Sequence, residues 1–376
     1  MFYPLYYQII YVLPSKIRTK RIDLSIILRK LWGYKSIVLV GIIIIVSFAF
    51  QSKINNEFNM LMVYKDSTEV AINADKIQKV NGGSIPLYVT IRLDDNPISL
   101  TNMEDVNQIA EGLNGLTEVS KVVNPYQLLD IIYNINGTGD IPNDMVLNGI
   151  YTNVSADPNS VINNLVSTDE NMIRLLVFPS DLQNDTLKVI EDYATQYDEV
   201  EVTGVQYMLR DLNVNISVMQ LYSILLALGL VLIMMTISLK SFKVALISLI
   251  PIVVTVAALY GFLGITGIAL NITTVIIFSI TIGVGIDYAV HFSSVYRHFL
   301  KEGFSKSEAV DEAYKNSSRP IITNALGISL GLSIMIFSPL NIHFNVSVLM
   351  WASMIVSVLV TLTLLPTIFK IEKKVK

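Results

Sequence analysis

Gly283-Val284-Gly285-Ile286-Asp287-Tyr288-Ala289-Val290-His291-Phe292 decides how this chain is read. It lies near the end of an apolar stretch that runs from Val244 to Val295, and Asp287 is the only formally charged residue in that stretch. A carboxylate in hydrocarbon is costly, so one held there marks a functional site by default, most often in an ion or proton path. The small residues before it, Gly283 and Gly285, let a neighbouring helix approach closely. The bland reading is a structural carboxylate satisfied by hydrogen bonds. The sequence favours a proton carrier.

Working outward, six apolar segments reach spanning length. The first is 31–50, where Ser36–Phe50 needs residues 31–34 to be long enough. Residues 214–296 hold three more: Asn215–Ser238, Val244–Ile265 and Ile272–Val295. Residues 320–370 hold Pro320–Ser338 and Val346–Phe369. The basic residues between them fall on one side: Lys240 and Lys243, the segment 297–319, and the Lys-rich end after Lys370. The positive-inside rule makes that side cytoplasmic, together with the C-terminus. The expected location is the cytoplasmic membrane, with the lipid bilayer as the chain's surroundings.

Charge separates the rest. Residues 51–213 carry nine Lys/Arg against 24 Asp/Glu, whereas the remainder carries 18 against seven. The acidic block therefore belongs outside the membrane. Only 15% of residues are charged, which excludes an ordinary soluble enzyme. There is no Cys, and the three His (His291, His298 and His343) are not clustered, so neither a thiolate nor a His-based metal site is expected. No GxxxxGK[ST] occurs, so nothing indicates ATP use, and no nucleophile–base set or nucleic-acid patch is visible. No cofactor is expected; a proton gradient would supply the energy.

Residues 51–213 are too long for a structureless loop. Leu87–Leu93 reads as a strand, Thr101-Asn102-Met103-Glu104 as a capping box opening a helix, Val119–Val123 as a strand and Pro125–Tyr133 as a helix. The pattern recurs with a strand at Met172–Phe178, a capping box at Ser180–Gln183, a helix to Tyr197 and a strand at Glu199–Thr203. Two strand–helix–strand units predict a ferredoxin-like α+β domain, with Gly137–Val166 as a loop insert. Val205–Asn213 reads as a helix feeding the second span. In the basic segment 297–319, Ser305-Lys306-Ser307-Glu308 caps an amphipathic helix expected to lie along the membrane. The fold class is thus an α-helical polytopic protein with an α+β domain between spans one and two.

Asp287 needs a partner, and the fifth span offers Thr323, Asn324 and Ser329, with Gly327 and Gly331 permitting close approach. Asp287 lies ten residues before Arg297 and Ser329 ten after Arg319, so their depths match; Asn324 is shallower but the better donor. Ordinary polar contact between helices is the competing role for all three. His291, at i+4 from Asp287, either extends the path or sits at the interface. Tyr288 is read as packing or as a hydroxyl donor.

One span, an external α+β domain, then five spans with Gly283-x-x-x-Asp287-Tyr288 in the fourth resembles one half of an RND-superfamily transporter. The likeness is to its hydrophobe/amphiphile exporter branch, relatives of the mycobacterial membrane large proteins. It is carried also by Leu263–Asn271, Asn56–Val70 and Gly204–Leu212. The resemblance implies proton-driven export of a lipid or other amphiphile, with Asp287 as the proton relay and 51–213 as a porter-like domain. It also implies a second RND half, or a second copy, as partner. The fifth span lacks the Lys or Arg seen in some drug-efflux relatives. Val12-Leu13-Pro14 echoes Leu364-Leu365-Pro366, so 1–30 is read as the stub of a preceding helix plus a cytoplasmic linker, and the chain as a C-terminal half. Two rival readings are a SecD/SecF-like protein-export accessory and a sterol-sensing-like lipid-binding regulator.

Overall fold

The computed structural model describes residues 24–371 except 57–59, 84 and 137–138. The Leu13-Pro14 stub lies outside the described residues. A short helix α1 (Leu24–Arg29) leads to α2 (Tyr34–Gln51), and α3 (Glu69–Asn81) follows. The α+β domain comprises β1 (Leu87–Arg92), α4 (Leu100–Asn114), β2 (Val119–Val123), α5 (Pro125–Asn136), α6 (Asp144–Ser155), α7 (Ile162–Leu165), β3 (Val166–Ser167), β4 (Met172–Pro179), α8 (Asn184–Ala194) and β5 (Val200–Thr203). Then come α9 (Val205–Val214), α10 (Ile216–Leu239), α11 (Phe242–Thr266), α12 (Ile272–Lys301), α13 (Lys306–Leu332) and α14 (Asn341–Ile371). Six of these helices (α2 and α10 to α14) are long and apolar enough to cross a membrane.

The sheet order is β2-β4-β1-β5 with every pairing antiparallel, the ferredoxin-like order expected from two strand–helix–strand units. Alternation explains its core. Leu87, Val89 and Ile91 of β1 and Ile173, Leu175 and Val177 of β4 are buried and face α4 and α8, which supply Val106, Leu113, Leu187 and Ile190. The helix α4 is capped by Ser99, which accepts from the Asn102 N–H, two residues before the Thr101 box expected from sequence. The insert is not a loop: Asn143 caps α6 by accepting from the Val146 N–H, and Leu147 enters the domain core. The Asn and Asp content that suggested a loop is cap chemistry on the insert's exposed side.

In the bundle, α11 packs against α2, α10, α12 and α14, and α13 lies against α12 and α14. The tightest approach is between α2 and α11: a Cβ on Gly261 would sit 2.5 Å from Ser47 Cα, and one on Gly264 would collide with the Phe50 carbonyl oxygen. The helix expected to lie separately over 297–319 is a correction to the sequence reading. Helix α12 continues to Lys301, and α13 begins at Lys306 behind the Ser305–Glu308 capping box and passes Pro320 without breaking. Proline removes one N–H, but its φ is already helical. The apolar face Ala309, Val310, Ala313 and Tyr314 is buried in the bundle's own core rather than turned to lipid. That end is locked to α1 and α14. Arg29 and Lys370 each donate to one oxygen of Asp311 at 2.9 Å, and the Tyr314 hydroxyl donates to the Ser25 carbonyl at 2.5 Å.

Candidate functional site

The rotation of α12 is set at its first turn. Asn271 accepts from the Thr273 and Thr274 N–H groups at 3.0 and 3.2 Å, and Thr274 Oγ1 accepts from the Asn271 N–H at 2.8 Å, a reciprocal cap. With that start, Phe278, Ile282, Gly285, Ala289, Phe292 and Tyr296 face inward. The opposite face, Ile276, Ile280, Gly283, Asp287 and His291, is exposed on the outside of the chain. Asp287 and His291 sit one turn apart on that face, and neither makes a hydrogen bond or ion pair with any described residue.

The sequence-derived partners divide. Thr323, Asn324, Gly327 and Gly331 are exposed on α13, the helix beside α12, and the side chains of Thr323 and Asn324 bond no described residue. Ser329 points elsewhere. It is 2% exposed and lines an apolar cavity with Trp351, Met354 and Ala325 between α13 and α14. Five residues along a helix turn a side chain by roughly 140°, so Asn324 and Ser329 cannot share a face. Tyr288 is likewise inside, its hydroxyl 3.2 Å from Met354 Sδ. Gly285 faces Ser357 and Ile252 at ordinary contact distance, whereas a Cβ on Gly283, Gly327 or Gly331 would meet nothing within 4 Å. The expected close packing at those three glycines therefore does not occur among the described residues; the close-packing pair in the bundle is Gly261 and Gly264.

An open face that is both polar and glycine-lined differs from the outer face of α10, where Val218, Leu221, Leu225, Leu226 and Ile233 are exposed and apolar, as lipid contact requires. On α12 and α13 the same exposure carries a carboxylate, an imidazole and a carboxamide. Two further features lie in the bundle's interior. Ser248 and Ser293 hydroxyls meet at 2.5 Å between α11 and α12, and the buried Thr281 and Ser357 hydroxyls have no hydrogen-bond partner among the described residues. Among the described residues no group of His, Cys, Asp and Glu comes together to hold a metal.

The joint between domain and bundle is charged. On α9, Arg210 donates to Glu191 of α8 at 2.6 Å and to Asp211 at 3.2 Å, and stacks 4.2 Å from the Tyr207 ring. Burial pulls the guanidinium's pKa down, and the two carboxylates outweigh it, so its net shift is upward.

Comparison with known proteins bears on this arrangement. The sequence profile of the MMPL family matches residues 63–372. A putative membrane protein of Methanocaldococcus jannaschii is 23% identical over 309 residues, covering 78% of this chain and 79% of that protein. The probable transport protein MmpL12 of Mycobacterium tuberculosis is 30% identical over 27% of this chain and 9% of its own length. The apo-petrobactin exporter of Bacillus anthracis is 31% identical over 28% of this chain and 14% of its own length. The matched stretch thus spans most of the archaeal protein but a small part of the other two.

Proposed function

The chain belongs to the MMPL family, and on that premise we propose that it is the membrane part of a proton-driven exporter of hydrophobic or amphiphilic molecules. It is a multi-pass membrane protein and a transporter of the RND/MMPL kind. The acidic α+β domain stands outside the cytoplasmic membrane, where it receives substrate. The observation that carries this reading is the place of Asp287: on an apolar helix, on an exposed face, without a hydrogen-bond or ion-pair partner among the described residues.

A second six-helix unit, a partner half or another copy, covers this face. Gly283, Gly327 and Gly331 leave room for its backbone, and its side chains supply what Asp287, His291 and Asn324 lack. At such an interface the carboxylate takes a proton from the outer side and releases it inward. Each charge moved down the membrane potential yields about 2.3 kcal/mol per 100 mV. The domain changes shape with each proton, since a difference in stability between the two charge states is what biases a cycle.

The test is transport in proteoliposomes under an imposed pH gradient, wild type against Asp287→Asn. Gradient-dependent amphiphile movement that vanishes in the variant supports the reading. Transport unaffected by the variant removes Asp287 from the mechanism.

A further inference from the structure

At the end of the bundle away from the α+β domain, two cavities lie along α13, one of about 470 Å³ and one of about 180 Å³. Asp311, Lys315 and Ser318 line the first, and Ile322, Ala325 and Ser329 line the second. These six positions follow one another in steps of three or four residues, so they form one stripe on a single helix face. The short helix α1 borders both cavities: Ser25 and Arg29 line the first, Leu24 and Leu28 the second. The two volumes therefore stand end to end in one furrow along α13.

Their chemistry differs as the two parts of a lipid do. The larger cavity is lined by Arg29, Lys315 and Arg319 and by two carboxylates, Asp311 and Glu312. Asp311 is already met from two sides, by Arg29 and by Lys370. Glu312 has Lys315 at 3.5 Å, but Lys315 is largely exposed, and exposed pairs of this kind hold weakly. Counting Lys370, four cations stand against two carboxylates among the described residues. The sequence just before α1 adds Lys16, Arg18, Lys20 and Arg21 against Asp23 alone, so the local excess is positive in sequence as well. The smaller cavity is lined by apolar side chains apart from Ser329 and Trp351, and the Trp351 indole N–H already donates to Ser333 Oγ. From Arg319 to Ser329 is ten residues, about 15 Å along the helix, or half of a hydrocarbon core about 30 Å thick. The furrow thus runs from the basic interface to about the depth of one leaflet.

We propose that this furrow holds one anionic phospholipid of the cytoplasmic leaflet, its phosphate among Arg29, Lys315 and Arg319 and one acyl chain in the apolar cavity. Basic pockets between helices on the cytoplasmic side favour such head groups. A phosphate accepts from guanidinium and ammonium groups together, whereas a choline head adds a cation that the positive excess opposes. The lipid is a fixed constituent of this end and not cargo. The inference rests on the orientation given by the basic residues and is independent of the export reading.

The test is native mass spectrometry of the whole chain, freed of endogenous lipid in detergent and then given single probes. The probes are dioleoylphosphatidylglycerol, dioleoylphosphatidylcholine with the same chains, and inorganic phosphate. One phosphatidylglycerol per chain is expected to stay bound, and to raise the melting temperature, at concentrations where the other two probes do neither. Lys315→Gln combined with Arg319→Gln should raise the phosphatidylglycerol concentration needed by about tenfold, the scale of lost charge-assisted hydrogen bonds. Lys306→Gln removes one charge from an exposed position of the same helix that lines neither cavity, and should leave binding unchanged. Leu326→Trp, at a half-exposed position on the apolar cavity, should weaken binding without altering any charge. Lipid-free melts show which variants are folded, and the wild-type comparison of the three probes decides by itself where one is not. Equal retention of both lipids, an equal effect of inorganic phosphate, a loss in Lys306→Gln as large as in the double variant, or indifference to Leu326→Trp overturns the proposal. Because the readout is binding, it stands or falls apart from Asp287 and transport.

Discussion

At the scale of single residues, two side chains five positions apart on α13 receive opposite assignments. Asn324 is exposed on its helix, as Asp287 is on α12, whereas Ser329 is buried and lines a cavity with Trp351 and Met354. If a covering unit pairs with Asn324 as proposed, Asn324→Ala is expected to reduce gradient-driven transport by about tenfold, the scale of one lost hydrogen bond. Ser329→Ala should leave it within about twofold, since its hydroxyl faces an apolar cavity. Side-by-side transport assays decide this, and equal losses would mean that the two act through packing. Depth along the helix was readable from Arg297 and Arg319; which way each side chain turned was not. Rotation depends on where α13 begins, and that is fixed by the Ser305 cap and by the burial of Ala309 and Ala313 against the bundle.

At the scale of elements, glycines in α11, α12 and α13 look alike in sequence and act differently. Gly261→Ala and Gly264→Ala force apart α2 and α11, because the obstacle is backbone and cannot rotate away. Each is expected to destabilise the folded chain by about 1–3 kcal/mol or more, seen as a lower melting temperature in detergent. Gly283→Ala and Gly327→Ala meet nothing and should melt like wild type, yet impair transport if a second unit occupies that face. In the domain, a Cβ on Gly112 of α4 would strike the Tyr193 hydroxyl of α8, so Gly112→Ala should destabilise the domain by a similar amount.

That hydroxyl also predicts a pH dependence. Burial, then the hydrogen bond to Tyr197, push the Tyr193 pKa up to about 12. A raised folded-state value means that the native domain holds the proton more tightly than the unfolded chain. Its contribution is complete below about pH 10 and is lost as pH rises towards 12. A fall in melting temperature over that window, diminished in Tyr193→Phe, is the expected result. Strands, spans and most helix starts were legible because alternation, length and capping residues act locally. The insert helices α6 and α7 were not, since their apolar residues, such as Leu147, find their partners only across the domain.

At the scale of the whole molecule, the six spans and the ferredoxin-like order were readable because hydropathy and the repeated strand–helix–strand pattern leave few alternatives. The open face was not, because exposure is a property of the assembled bundle. It leads to a direct expectation. Cysteine placed at Gly327 should form a disulfide-linked pair in membranes holding this chain alone if the covering unit is a second copy. Only monomer on a non-reducing gel would point to a different chain as partner.

The close approach of α2 to α11 has a mechanical consequence. Two helices in backbone contact cannot slide past one another, so they form a fixed plate. The other connection to the domain runs through α9, which carries the Arg210–Glu191 contact, into α10, which presents exposed apolar side chains outward and rests against α12. If the domain moves during transport, the α2–α11 edge is expected to stay fixed like the hinge side of a door and the α9–α10 edge to travel. That edge leans on the helix that carries Asp287.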